Sequence, residues 1–129
     1  MNALSMAVVL ALLAGVIDLG IAAFHLTFWR LFGWPKRLAG LDAVNRALPP
    51  VLNIALTGFF IVIGFALVSA PAEALATVFS RRIVGGMAVI YVVRAAIQVP
   101  YFGLRHPASI LLFAVFLLGF VLHAAALLY

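Results

Sequence analysis

The sequence contains no cysteine and only three acidic residues, Asp18, Asp42 and Glu73. Without cysteine the chain cannot form disulfide bonds, thiolate metal sites or a cysteine nucleophile. Only one of the three acids, Asp18, falls inside a long apolar run. Charged residues of either sign are scarce as well, at 9% of the chain.

Apolar residues dominate what remains. They make up 68% of the sequence, and the mean hydropathy is +1.32. No water-soluble domain of this size needs so much apolar surface, so the composition predicts a membrane protein.

Four runs approach or exceed the roughly 20 apolar residues that cross about 30 Å of hydrocarbon. They cover 4–29, 51–70, 83–102 and 110–129. We therefore predict an all-α integral membrane protein, a single domain over 1–129 with four transmembrane helices in an up-down bundle. The amphipathic pattern of 36–48 predicts a short interfacial helix between the first two spans, which Pro49-Pro50 should end.

Positive charge predicts the orientation of the chain. The net charge is +5 and the pI is about 10.9, but the basic residues sit at the ends of the apolar runs and form no dense basic face, so nucleic acid is not expected as a partner. If the spans alternate, one side of the membrane carries Arg30, Lys36, Arg37, Arg46 and Arg105, and the other carries Arg81 and Arg82. The positive-inside rule then places both termini on the non-cytoplasmic side, and we expect a bacterial inner membrane. Arg46 and Arg105 are candidates for binding anionic lipid headgroups, the alternative being solvated charges.

Arg94 lies near the middle of the third run. A charge at the centre of a transmembrane helix costs about 2.5 to 3.5 kcal/mol on insertion scales, so it normally faces other helices or a wet cavity and has a partner. Asp18 lies near the middle of the first run, which should cross the membrane in the same direction as the third. We therefore predict an Asp18–Arg94 ion pair, either as part of a functional site or as a structural contact that sets helix register.

Other polar residues should lie near this pair. His25 follows Asp18 on one helical stripe and is a suitable proton acceptor near neutral pH. Tyr91 and Gln98 share the stripe of Arg94, and Asn53 and Gln98 fall about one turn inside the cytoplasmic ends of their spans. The predicted substrate- or ion-binding residues are Asp18, His25, Asn53, Tyr91, Arg94 and Gln98.

The histidines do not predict a metal or haem site. His25 and His123 should lie toward opposite membrane faces, whereas a shared iron needs both nitrogens within about 2 Å. His25 and His106 lack a carboxylate at ligand spacing. We expect no metal and no cofactor, and we expect His123 to make a helix–helix hydrogen bond or to lie at the interface.

These features favour a small transporter or channel for a small polar or anionic solute. Arg94 would supply the positive charge and Asp18 would act as a gate or proton carrier, with no catalytic residue. The alternative is a non-catalytic accessory subunit of a larger membrane complex. A third interpretation is a membrane-embedded lipid-modifying enzyme, for which no nucleophile is evident.

One bundle of this size is small to enclose a pathway alone. We therefore expect the chain to form a homo-oligomer or to join a larger membrane complex. The small residues Ala3, Ala7, Ala11 and Gly15 recur every four positions, which makes this ridge a candidate contact between helices in lipid.

Overall fold

The computed structural model describes residues 2–129, and 85% of the chain is helical. The helices are α1 (Ala3–Leu26), α2 (Phe28–Leu31), α3 (Ala43–Ser69), α4 (Pro71–Ala74), α5 (Val78–Phe102) and α6 (Pro107–Leu128). A turn of 3-10 helix covers Lys36–Leu38, and residues 2–129 contain no β-strand. Four of the helices, α1, α3, α5 and α6, are long and apolar enough to cross a membrane. The prediction of an all-helical chain with four such helices is confirmed.

The predicted interfacial helix over 36–48 is wrong. Its first part is the short 3-10 turn, and its second part is the beginning of α3, which continues through Pro49 and Pro50 without a break. The two prolines lie in the second turn of α3, where the preceding residues are exposed. The carbonyls that the prolines leave without a donor can therefore be solvated, which makes the helix tolerate them.

Asp42 begins α3 as its N-cap. The Asp42 carboxylate accepts hydrogen bonds from the backbone N–H groups of Val44 and Asn45, each at 3.1 Å. Hydrogen bonds from the Asn45 side chain and backbone hold the pKa of Asp42 below its ordinary value. The cap fixes the helix start upstream of the prolines, because it satisfies two of the backbone donors that a helix leaves open at its beginning.

α1 packs against both α3 and α6, and α5 packs against α6, whereas the contact between α3 and α5 is smaller and includes the Phe60 and Tyr91 rings. α1 and α3 run antiparallel, since Gly15 meets Gly64 while the Asn53 side chain reaches the backbone of His25. The resulting arrangement leaves a gap between α3 and α5, with α1 and α6 forming its base.

Glycine sets the close approach of α1 and α3. A Cβ atom on Gly15 would lie 2.7 Å from the Leu67 Cβ and 2.8 Å from the Gly64 carbonyl oxygen. Ala7, Ala11 and Gly15 are buried within the chain. Most of the ridge that was a candidate for an intermolecular contact therefore packs inside the single chain.

Two apolar clusters form the core on either side of Asp18. One contains Ala7, Ala11, Ala14, Leu67, Leu75, Val84 and Ala126. The other contains Ile21, Ala22, Phe60, Met87, Tyr91, Ala95 and Phe116. Because the early residues of α1 group with the end of α6, and the later ones with its middle, α1 and α6 are also antiparallel.

Candidate functional site

A cavity of about 400 Å³ occupies the gap between α3 and α5. Its walls are mainly aromatic and aliphatic, and its polar lining residues are His25, Asn53, Tyr91, Arg94 and Gln98. Phe28, Phe32 and Trp34 line its end at the connection from α1 to α3. The fourth aromatic residue of this stretch, Trp29, does not line the cavity.

The structure brings five of the six predicted site residues to this one cavity. The sixth, Asp18, is fully buried behind Tyr91 and does not line it. Arg46 and Arg105 are exposed and lie outside it. Their contact with lipid headgroups stays a prediction, as does the binding role of the cavity residues.

The predicted Asp18–Arg94 ion pair is wrong. Asp18 contacts Tyr91 and His123 instead: the Tyr91 hydroxyl donates to Oδ1 at 2.7 Å, and His123 Nε2 lies 3.3 Å from Oδ2. Tyr91 precedes Arg94 by one helical turn and is closer to the middle of α5, which begins five residues before the predicted span. With this earlier start the middle of α5 falls next to Tyr91 rather than next to Arg94, and Tyr91 is the residue that faces Asp18.

The hydrogen bond between Asp18 and His123 requires a proton on one of the two side-chain atoms that it joins. His123 Nδ1 lies 2.8 Å from the Gly119 carbonyl oxygen, which can only accept, so Nδ1 carries a hydrogen. A neutral ring with that hydrogen presents a lone pair at Nε2. The contact with Oδ2 therefore needs one further proton, carried by either the imidazole or the carboxyl group. Because Asp18 and His123 are both 0% exposed, this proton makes the pair neutral overall and avoids a lone buried charge.

Arg94 keeps its charge without a carboxylate partner. Its Nη1 donates to Gln98 Oε1 at 2.8 Å, and its guanidinium carbon lies 4.5 Å from the centre of the Phe116 ring. Among residues 2–129, no carboxylate oxygen lies within 4.0 Å of its side-chain nitrogens. A guanidinium has five N–H donors, and the bond to Gln98 is the one hydrogen bond that the Arg94 side chain makes among residues 2–129, so most of its donors are unused.

Gln98 positions Arg94. Gln98 Nε2 donates to Ser109 Oγ at 2.7 Å, and the Ser109 hydroxyl donates to the Gly103 carbonyl oxygen at 2.5 Å. Both Gln98 and Ser109 are buried. This chain of hydrogen bonds ties the guanidinium to the turn between α5 and α6. Because both polar atoms of the Gln98 side chain take part in it, Gln98 is a positioning residue.

Asn53 and His25 form the opposite polar wall. The Asn53 side chain donates through Nδ2 to the His25 carbonyl oxygen at 3.0 Å, while its Oδ1 is buried without a hydrogen-bond partner in residues 2–129. His25 Nδ1 lies 2.8 Å from the Ile21 carbonyl oxygen, and its ring stacks on Phe28 with centroids 4.6 Å apart. The His25 ring therefore bonds to its own helix, while the side-chain partners of Asp18 among residues 2–129 are Tyr91 and His123.

Sequence reasoning missed His123 as the partner of Asp18, although the expected helix–helix hydrogen bond of His123 is confirmed. From the level of this contact, α1 continues roughly 22 Å to Ala3 but α6 only roughly 8 Å to Leu128, at 1.5 Å per residue. The two helices therefore do not begin and end at common levels, whereas the prediction of the Asp18–Arg94 pair compared positions within each apolar run as if all runs did. The stripe that carries Gly119 and His123 was the available signal.

The fold and the cavity together define a class: a protein with four helices of membrane-spanning length and composition and a largely apolar recess that one arginine lines. No protein-family model, curated protein or solved structure matches the chain. Residues 2–129 contain no group of three or more histidine, aspartate or glutamate side chains placed to hold a metal ion.

Proposed function

We propose that the chain is a four-span, up-down membrane protein that binds a small, largely apolar anion in the cavity between α3 and α5 and carries it across the membrane. The observation that supports this most is Arg94, a permanent cation that lines the cavity without a carboxylate partner among residues 2–129.

Electrostatics favours an anion. A guanidinium in a low-dielectric region is costly when its partners are neutral, and Gln98 and the Phe116 ring offset only part of this cost. The Asp18–His123 pair is neutral, so it does not compensate Arg94. A bound anion would form charge-assisted hydrogen bonds with the unused guanidinium donors.

The remaining walls favour an apolar body. Aromatic and aliphatic side chains surround the polar groups, and a volume of about 400 Å³ lies in the range of small-molecule sites. Some cavity residues of α3 and α5, such as Leu52 and Ile90, are exposed, so in a bilayer a solute could enter the cavity from the hydrocarbon.

The distribution of basic residues supports the proposed orientation. Lys36 and Arg37 are exposed in the connection from α1 to α3, and Arg105 is exposed in the connection from α5 to α6. At the opposite end, Arg81 Nη2 donates to the Leu127 carbonyl oxygen at 2.6 Å, so one of the two basic residues there caps α6. By the positive-inside rule the Trp34 end of the cavity is cytoplasmic and both termini are outside.

Binding can be measured through the quenching of tryptophan fluorescence, because Trp34 lines the cavity and Trp29 is its neighbour, with ring centroids 5.9 Å apart. We expect 4-bromobenzenesulfonate to quench this emission saturably and the uncharged 4-bromobenzyl alcohol to quench it weakly. Arg94→Gln should weaken sulfonate binding at least about tenfold, since it removes a charged hydrogen-bond donor. The same variant should abolish protein-dependent uptake of the sulfonate into liposomes.

Arg105→Gln is the matched control, because it removes the same charge from an exposed loop position. It should leave binding and uptake unchanged. Equal binding of the sulfonate to wild type and Arg94→Gln would contradict the proposed site. Absence of any saturable binding would favour the accessory-subunit interpretation.

A further inference from the structure

The hydrogen bond of the Arg94 side chain goes to a neutral group, the amide of Gln98. We infer that Gln98 determines the charge selectivity of the cavity. It holds the guanidinium through its amide oxygen without cancelling the positive charge, and Ser109 fixes the amide in the orientation that this requires. This inference rests on the proposed function and assigns the preference for anions to a second residue of the same site.

The direction of each hydrogen bond in this chain follows from its last acceptor. The Gly103 carbonyl oxygen can only accept, so the single hydroxyl hydrogen of Ser109 is used there, at 2.5 Å. Ser109 Oγ is then left as an acceptor, and the Gln98 atom 2.7 Å from it must be the amide nitrogen. The amide oxygen therefore faces Arg94 Nη1, a group that can only donate, at 2.8 Å.

Both ends of the Gln98 amide require this one orientation. Exchanging its oxygen and nitrogen would place two donors together at Arg94 and two acceptors together at Ser109. Gln98 is 1% exposed and Ser109 is 8% exposed, so water has little access to relieve either mismatch. Ser109 is therefore a positioning residue, which acts on the guanidinium only through the amide.

The amide satisfies one donor of Arg94 and adds no charge. A carboxylate of the same shape at this position would form an ion pair with the guanidinium, as charged side chains inside membrane helices normally do. Gln98 and Arg94 both line the cavity, so a charge on either one changes the field that a ligand meets there. The buried carboxyl group of Asp18 is engaged with Tyr91 and His123 instead. The positive charge thus stays available to a ligand because residue 98 is neutral.

Gln98→Glu tests this charge selectivity in the tryptophan quenching assay. We expect it to weaken binding of 4-bromobenzenesulfonate at least about tenfold, as Arg94→Gln does, and to leave the weak binding of 4-bromobenzyl alcohol unchanged. Because the new carboxylate pairs with Arg94, the variant should unfold at the same temperature as wild type or at a higher one. Weaker binding without a loss of stability excludes damage to the fold as the cause.

Two further variants separate the charge from the hydrogen bond. Gln98→Met is neutral and unbranched but has only a weak acceptor, so it should weaken sulfonate binding less than about tenfold and keep the preference for the sulfonate over the alcohol. Asn2→Asp adds the same charge as Gln98→Glu outside the cavity lining. It keeps the acceptor for the Ser5 backbone N–H at the start of α1, so it should leave binding unchanged.

A double-mutant cycle tests the role of Ser109. Ser109→Ala should weaken sulfonate binding about threefold in the wild-type background and have no further effect in the Gln98→Met background, because it acts through the amide. Ser69→Ala is the matched control and should change nothing. Its hydroxyl also donates to a backbone carbonyl, that of Phe65, but Ser69 does not line the cavity. Equal effects of Ser109→Ala in both backgrounds would overturn its positioning role.

The outcomes separate this inference from the proposed function. Sulfonate binding that needs Arg94 but survives Gln98→Glu would overturn the inference and leave anion binding standing. A Gln98→Glu protein less stable than wild type would overturn it too, because the expected ion pair would not have formed. Absence of saturable sulfonate binding to wild type, or equal binding to Arg94→Gln, would reject the proposed function and this inference together.

Discussion

Replacing His123 by leucine should lower the free energy of unfolding by about 3 to 5 kcal/mol, the cost of breaking a buried charge pair by removing one member. The reason is the proton shared between His123 and Asp18, both of which are 0% exposed. Without the imidazole, the Asp18 carboxyl group keeps only the Tyr91 hydroxyl as a side-chain partner. It must then either remain charged without compensation or bind a proton of its own.

Asp18→Asn is the matched variant and should cost only about 1 kcal/mol or less. The asparagine Oδ1 can accept from Tyr91, and its Nδ2 can donate to His123 Nε2, which presents a lone pair once Nδ1 donates to Gly119. The network loses its proton and keeps its hydrogen bonds.

Reversible unfolding in mixed micelles, followed by circular dichroism, measures both free energies. The double variant Asp18→Asn/His123→Leu should be more stable than His123→Leu alone, since no buried carboxyl group is left. Equal losses for Asp18→Asn and His123→Leu would show that the pair does not share a proton in the way that the Gly119 contact implies.

Gly119→Ala should cost about 2 to 3 kcal/mol, an overpacking penalty in a well-filled core. A Cβ atom on Gly119 would lie 2.5 Å from both Cδ1 and Cε1 of Tyr91. Tyr91 is 1% exposed, and its hydroxyl is held by Asp18 at 2.7 Å, so the ring cannot move away without losing that hydrogen bond. Unfolding in the same micelles measures the loss.

Gly86→Ala is the control, because a Cβ atom there meets nothing within 4 Å. It should leave stability unchanged or raise it by up to about 1 kcal/mol, the difference in helix propensity between the two residues. In a Tyr91→Leu background the cost of Gly119→Ala should fall markedly. A Gly119→Ala protein as stable as Gly86→Ala would contradict the packing of α5 on α6.

The four long helices were predictable because each corresponds to an apolar run that is long enough to cross a membrane as a helix. The start of α3 was not predictable in the same way. A pair of prolines such as Pro49-Pro50 usually ends a helix. Here α3 begins upstream of them at the Asp42 cap and continues through both, since the carbonyls in its first turns are exposed.

The membership of the candidate site was also largely predictable, since His25, Asn53, Tyr91, Arg94 and Gln98 share stripes that a helix presents to one side. The pairing within it was not. A shift of one turn in α5 exchanges Tyr91 for Arg94 opposite Asp18, and helix ends read from a sequence are uncertain by about that amount. Such a shift changes which residues form hydrogen bonds with each other, but it does not change which residues share one face of a helix.

The most direct test of anion binding between α3 and α5 is photolabelling of the protein in membranes with 4-azidobenzenesulfonate, followed by peptide mapping. We expect the label on cavity residues of these two helices, such as Leu52, Leu56 and Ile90. The label should be displaced by benzenesulfonate and lost in Arg94→Gln. Label spread over outward-facing side chains such as Val9, Val62 and Val121, and unaffected by the competitor, would contradict an anion site at Arg94.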